Sequence, residues 1–181
     1  MKVLKPISRP PPTEEPEKYR VKKFGVVESE DHQIFVVSST LKRIVEYSRT
    51  NMHRELGGVM IGGYYTWKGR RFVEIEDYIE ASKGESRSAS FKFTAESWSE
   101  IGKVREAKFG DKPLVGWHHT HPSFGIFLSG MDLFIHEQFF NLDWQIALVV
   151  DPVADKLGFF QWKNKAIHKV GFFTIAPPSP A

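Results

Sequence analysis

The chain of 181 residues contains no cysteine. Disulfides, thiolate metal sites and a cysteine nucleophile are thereby excluded together, and any metal site has to be built from His, Asp and Glu. No apolar run approaches the roughly 18 residues that a membrane span requires, so no membrane partner is expected. The opening MKVLKPISRPPPTEEPEKYR has no apolar signal-peptide stretch, and the chain reads as cytoplasmic. A basic stripe is missing too. With a net charge of only +3, the Lys and Arg are scattered among acids, as in TEEPEKYRVKK and KGRRFVEIEDYIE, which argues against nucleic acid as a partner. What the chain does have is bulk: 15 Phe and 5 Trp promise a well-filled core, and the length suits one domain without room for a second.

Residues 1–24 carry Pro6, Pro10, Pro11, Pro12 and Pro16 among charges and read as a flexible, solvated arm; APPSPA at 176–181 reads as a flexible tail. The domain is expected over 25–175. Within it, QIFVVS (33–38) reads as a strand and STLKRIVEYSRTN (39–51) as a helix after a Ser/Thr cap. GGVMIGG (57–63) and RFVEIEDYIEA (71–81) look like paired strands around the YYTWKGR turn, with SASFKF (88–93) a further short strand. TAESWSEIGKVREAK (94–108) is a second helix, PLVGWHHTH (113–121) a buried strand, and SGMDLFIHEQFF (129–140) a third helix capped by Ser129. WQIALVVD (144–151), KLGFFQWK (156–163) and KAIHKVGFF (165–173) close the chain as strands. Strands and helices mix without strict alternation, which predicts an α/β domain with a mixed β-sheet flanked by helices.

The chemistry lies in GWHHTHPSFGIFLSGMD, residues 116–132. Side chains alternate along a strand, so His119 and His121 share one face while His118 and Thr120 share the other. Two imidazoles on one face can bind one Zn²⁺. Asp132, in the first turn of the following helix, is placed to be a third ligand, and three ligands leave an open position as in catalytic zinc sites. Taken alone, H-x-H is more often a core or surface pair, and Ser129-x-x-Asp132 is first of all a helix capping box.

Taken together, H-x-H-P, six residues and then S-x-x-D resemble the signature of the JAMM (MPN⁺) metallopeptidases without a gap. RELGGVMIGG (54–63) is similar to the family's upstream glutamate segment, and ALVVDP (147–152) to its strand after the metal helix. The resemblance implies the MPN fold, one Zn²⁺ per chain, and hydrolysis of a peptide or isopeptide bond after the C-terminus of a ubiquitin-like protein. It assigns His119, His121 and Asp132 as metal ligands, Glu55 as general acid/base and Ser129 as a helper in stabilising the oxyanion. An alternative within the same fold is an inactive MPN scaffold in a larger complex; a zinc-dependent nucleoside deaminase is set aside, because its H-x-E and P-C-x-x-C pieces are absent.

Other residues are read more plainly. His118 is expected to be packed or hydrogen-bonded, Trp117 and Trp162 to be core, and His136, one turn beyond Asp132, is not assigned to a second zinc site for want of partners. The loop Ser123–Phe127 either binds substrate or packs. The Ser/Gly-rich segment KGESRSASFKF (83–93) is expected to be weakly held by its own packing, and either pairs with an extended substrate tail by strand addition or is a solvated loop of no consequence.

Overall fold

A computed structural model describes residues 4–179. In chain order the elements are β1 (Ile7–Ser8), a 3-10 turn (Pro12–Glu14), β2 (Arg20–Phe24), β3 (Gln33–Val37), α1 (Ser38–Ser48), β4 (Gly57–Trp67), β5 (Arg70–Glu80), β6 (Glu85–Arg87), β7 (Ser90–Lys92) and α2 (Ala95–Phe109). These are followed by β8 (Leu114–Thr120), α3 (Gly130–Phe139), β9 (Ile146–Asp151), β10 (Lys156–Lys163), β11 (Ala166–Val170) and β12 (Phe172–Ala176). Ten strands form one mixed sheet, ordered β11-β10-β9-β8-β4-β5-β3-β12-β2, with β1 pairing to β4; β6 and β7 form a separate hairpin. Among the described residues no helix is long and apolar enough to cross a membrane.

The sequence reading joins residues 165–173 into a single strand, and the structure divides them. Gly171 alone separates β11, at one edge of the sheet, from β12, which lies near the other edge between β3 and β2. A one-residue link can join such distant positions only if the sheet curls back on itself. Gly171 donates its N–H to Val26 O at 2.7 Å, and a Cβ there would lie 2.6 Å from that same oxygen, so the crossing admits no side chain. Period-2 alternation then sorts the core. Met60, Ile146, Leu148 and Val150 pack with Ile44 of α1, whereas Val59, Ile61, Ala147 and Val149 pack with Ile101 of α2 and Ile135 of α3.

The arm expected over residues 1–24 is, from Ile7 on, largely folded against the sheet. Ile7 and Ser8 pair in parallel with Tyr65 and Thr66, Arg9 lies 3.9 Å over the Tyr65 ring and pairs with Glu74, and β2 pairs antiparallel with β12. The reason is a short alternation hidden by charge. Tyr19 and Val21 pack against the core cluster of Phe35, Tyr65 and Phe173, while Arg20 and Lys22 take the exposed side of an edge strand. Charged side chains there also discourage edge-to-edge association.

The segment 83–93 is likewise better held than its composition suggests. β6 and β7 pair with one another, and Phe91 is 2% exposed, with its ring edge-on to Phe93. Gly57 gives that ring its place: a Cβ at Gly57 would meet it at 2.5 Å. Phe91→Ala is therefore expected to cost about 3–5 kcal/mol, in the range for burying and then deleting a core aromatic. Denaturant unfolding measures this; a loss under about 1 kcal/mol would show that the hairpin is not anchored by its aromatic ring.

Candidate metal centre

The centre lies where β8 leaves the sheet. β8 runs antiparallel to β4 and parallel to β9. The ladder continues one residue further, as His121 N–H donates to Val150 O at 2.8 Å, and Pro122, which has no N–H, ends it. His119 and His121 thus project together, their ring centroids 4.7 Å apart. His118 points the other way, into a buried chain in which its Nε2 lies 3.0 Å from Ser48 Oγ and its Nδ1 2.9 Å from Tyr78 OH. Gly58, opposite His118, leaves room for this contact; a Cβ there would be 2.2 Å from the Tyr78 oxygen.

Asp132 arrives from α3. Ser129 and Asp132 form a capping box: Ser129 Oγ accepts from Asp132 N at 3.2 Å, and Ser129 N donates to Asp132 Oδ2 at 2.7 Å. The structure brings together His119 Nε2, His121 Nε2 and Asp132 Oδ2, separated pairwise by 3.0, 3.2 and 3.3 Å. All three side chains are buried, and among the described residues they are the one group of this kind that could hold an ion. Ligands bound to zinc at about 2.0–2.1 Å in a tetrahedral arrangement lie about 3.3 Å apart, so these residues fit the metal in both spacing and donor chemistry.

The electrostatics suit the same occupant. Burial lowers the pKa of His119 and favours its neutral form. Burial would raise that of Asp132, but hydrogen bonds from His119, His121 and Ser129 outweigh it and hold the carboxyl well below the usual range. At His121 burial opposes the charged form, yet the Asp132 hydrogen bond and the Asp132 and Glu55 charges raise its pKa.

Glu55 stands in the connection between α1 and β4, with Oε1 3.9 Å from His121 Nε2. Its backbone is fixed on both sides. Glu55 N–H donates to Arg87 O at 2.7 Å, Ser86 Oγ donates to Glu55 O at 2.6 Å, and the next residue, Leu56, donates to Thr120 Oγ1 at 2.8 Å. Burial pushes the Glu55 carboxyl up to about 7, partly offset by His121. Sequence reasoning missed these supports, since Thr120 gives no sign of its role beyond its place in the H-T-H strand.

Behind the centre, Trp117 stacks on His119 with centroids 4.4 Å apart and donates Nε1–H to His136 Nδ1 at 3.0 Å. That bond uses the lone pair of Nδ1, so in neutral His136 the proton sits on Nε2 and neither nitrogen is free for a metal. Burial lowers the His136 pKa to about 4, so the neutral form prevails. Trp162 is half-buried, with its Nε1–H on Phe140 O, and not in the core as expected. In the loop after Pro122, Phe124 and Phe127 are exposed, with the Phe127 ring 4.7 Å from that of His121.

Residues 29–143 match the family model described as JAB1/Mov34/MPN/PAD-1 ubiquitin protease. The chain is 26% identical over 135 residues to the 26S proteasome non-ATPase regulatory subunit 14 of Drosophila melanogaster, covering 70% of this chain and 40% of that protein. The Caenorhabditis elegans protein of the same name is 27% identical over 157 residues, covering 82% and 45%. The ubiquitin carboxyl-terminal hydrolase RPN11 of Saccharomyces cerevisiae is 26% identical over 127 residues, covering 69% and 40%. The chain thus spans less than half the length of these relatives. A Desulfitobacterium hafniense protein solved in solution superposes with a TM-score of 0.56 at 14% identity, over 76% of this chain and 89% of that one, a likeness of fold. With its curled mixed sheet, three helices and a family match over most of the domain, the chain belongs to the JAB1/Mov34/MPN/PAD-1 family.

Proposed function

We propose that this chain is a zinc-dependent peptidase or isopeptidase that hydrolyses the bond after the C-terminus of a ubiquitin-like protein, in precursor processing or deconjugation in the cytoplasm. His119, His121 and Asp132 would hold one Zn²⁺. The observation that carries the reading is the convergence of their three ligand atoms in a buried site with the Glu55 carboxylate beside it. When bound, zinc at a site with three protein ligands supplies Lewis acidity and lowers the pKa of water towards ~7. Glu55 then accepts the proton of the attacking water and delivers it to the leaving amine. Cysteine-dependent routes to the same products are closed to a chain without cysteine. The substrate class follows the names of the relatives, one of which is a ubiquitin carboxyl-terminal hydrolase.

Ser129 serves two ends. Its Oγ accepts the Asp132 N–H as the helix cap, which leaves the hydroxyl proton free to donate to the developing oxyanion. Ser129→Ala is expected to slow hydrolysis about 10–10³-fold, by analogy with loss of one oxyanion donor. It should also cost about 0.5–2 kcal/mol of stability through the lost cap. Steady-state kinetics beside thermal unfolding separates the two; an unchanged rate with lowered stability would leave Ser129 as a cap alone.

The reading is tested with a panel of ubiquitin-like proteins ending in Gly, joined to a reporter by a peptide bond and, in parallel, to a lysine side chain by an isopeptide bond. The expected product ends at the tail glycine, and a chelator stops its formation until zinc is restored. A zinc-loaded chain that cuts neither linkage in any member of the panel would favour the scaffold alternative.

A further inference from the structure

We propose that Asp151 is a positioning residue for the metal centre: its carboxylate pins the turn after Pro122, and that turn fixes the ring and tautomer of His121. The proposal rests on His121 being a metal ligand. Asp151 ends β9, buried beside the end of β8, and its carboxylate is spent on backbone N–H groups.

Four such groups converge on it. Oδ1 accepts from Ser123 N at 3.0 Å, Val153 N at 3.1 Å and Ala154 N at 3.0 Å, while Oδ2 accepts from Gly125 N at 3.1 Å. The turn needs this support, because Ser123 has a φ of 66° and Gly125 one of 87°. The left-handed region is disfavoured for a serine, and the carboxylate offsets that cost by satisfying the N–H groups of Ser123 and Gly125. The turn then acts on the histidine. Gly125 O lies 3.2 Å from His121 Nδ1. A carbonyl only accepts, so Nδ1 carries a proton, and in the neutral ring the lone pair that a metal ligand needs falls to Nε2, the nitrogen that faces His119 and Asp132. His119 has no such arrangement: among the described residues its buried Nδ1 has no hydrogen-bond partner.

The division of labour between the two oxygens gives a selective variant. In Asp151→Asn the amide oxygen takes the place of Oδ1 with its three donors, and the amide NH₂ is left facing the Gly125 N–H, donor against donor. The contact that reaches His121 is broken and the rest is kept. Zinc affinity, measured by competition with a chromogenic chelator, is expected to fall about 10–100-fold, the usual effect of losing an outer support of a metal ligand. In imidazole ¹H–¹⁵N spectra of the zinc-loaded protein, the His121 Nδ1–H signal should move while that of His119 stays.

Gly125→Ala provides a second route should Asp151→Asn give little folded protein. Its Cβ would meet nothing within 4 Å, so it acts only by straining the positive φ, and it should weaken zinc binding with Asp151 intact. Zinc affinity within about threefold of wild type in a folded variant would overturn the proposal. So would an affinity loss in which the His119 and His121 signals move together, the mark of general loosening. Failure of the wild type to bind zinc in the same titration would instead remove the metal centre on which the proposal rests.

Discussion

Glu55→Gln is expected to keep the fold and its zinc while losing hydrolysis by about 10²–10⁴-fold, the usual contribution of general acid/base catalysis. The substitution is nearly isosteric, and the backbone bonds to Ser86, Arg87 and Thr120 that place the residue do not depend on its side chain. The amide cannot take up a proton, so both halves of the reaction lose their carrier. Stability adds a check with a definite sign. Burial raises the folded pKa of Glu55 to about 7 from an ordinary 4.5, so its protonated form favours the fold, and that contribution is lost as pH rises from about 4.5 through 7. Above that window the metal-free Gln variant, which carries no buried charge there, should be at least as stable as the parent. Near-normal turnover by Glu55→Gln on a substrate that the parent cuts would remove Glu55 from the mechanism.

The second large effect is expected from His119→Ala/His121→Ala. Removing both nitrogens leaves one carboxylate, too few ligands to hold zinc, so occupancy should drop from about one ion per chain to none detectable, and hydrolysis should vanish with it. Asp132→Asn is the milder companion. Its amide oxygen can still accept the Ser129 N–H and close the capping box, but a neutral ligand replaces an anionic one, and occupancy should be partial. Elemental analysis after dialysis reads both variants, and full zinc in the double variant would place the metal elsewhere.

The parts of this site that the sequence reveals are those governed by local periodicity. The two-residue repeat of a strand puts His119 and His121 on one face, and the cap at Ser129 puts Asp132 in the first turn of α3, both within a single stretch of chain. Glu55 is different. Some sixty residues separate it from the histidines, and its place follows from the pairing of β4 with β8, which no local pattern encodes; only the likeness to a known family suggests it. Asp151 is legible only as the end of a strand, because its role depends on β9 lying parallel to β8 and on the positive φ of Ser123. The N-terminal segment is hard to read from sequence for a related reason. Proline and charge dominate its composition, while the two inward side chains Tyr19 and Val21 find a core only once β12 has crossed to that side of the curled sheet.

Whether His119, His121 and Asp132 together hold one zinc ion is decided by anomalous scattering at the zinc edge from crystals of the zinc-loaded chain. One strong peak per chain is expected, within about 2.0–2.2 Å of His119 Nε2, His121 Nε2 and an Asp132 carboxylate oxygen. A peak held by other residues, or none in crystals of protein saturated with zinc, would contradict it.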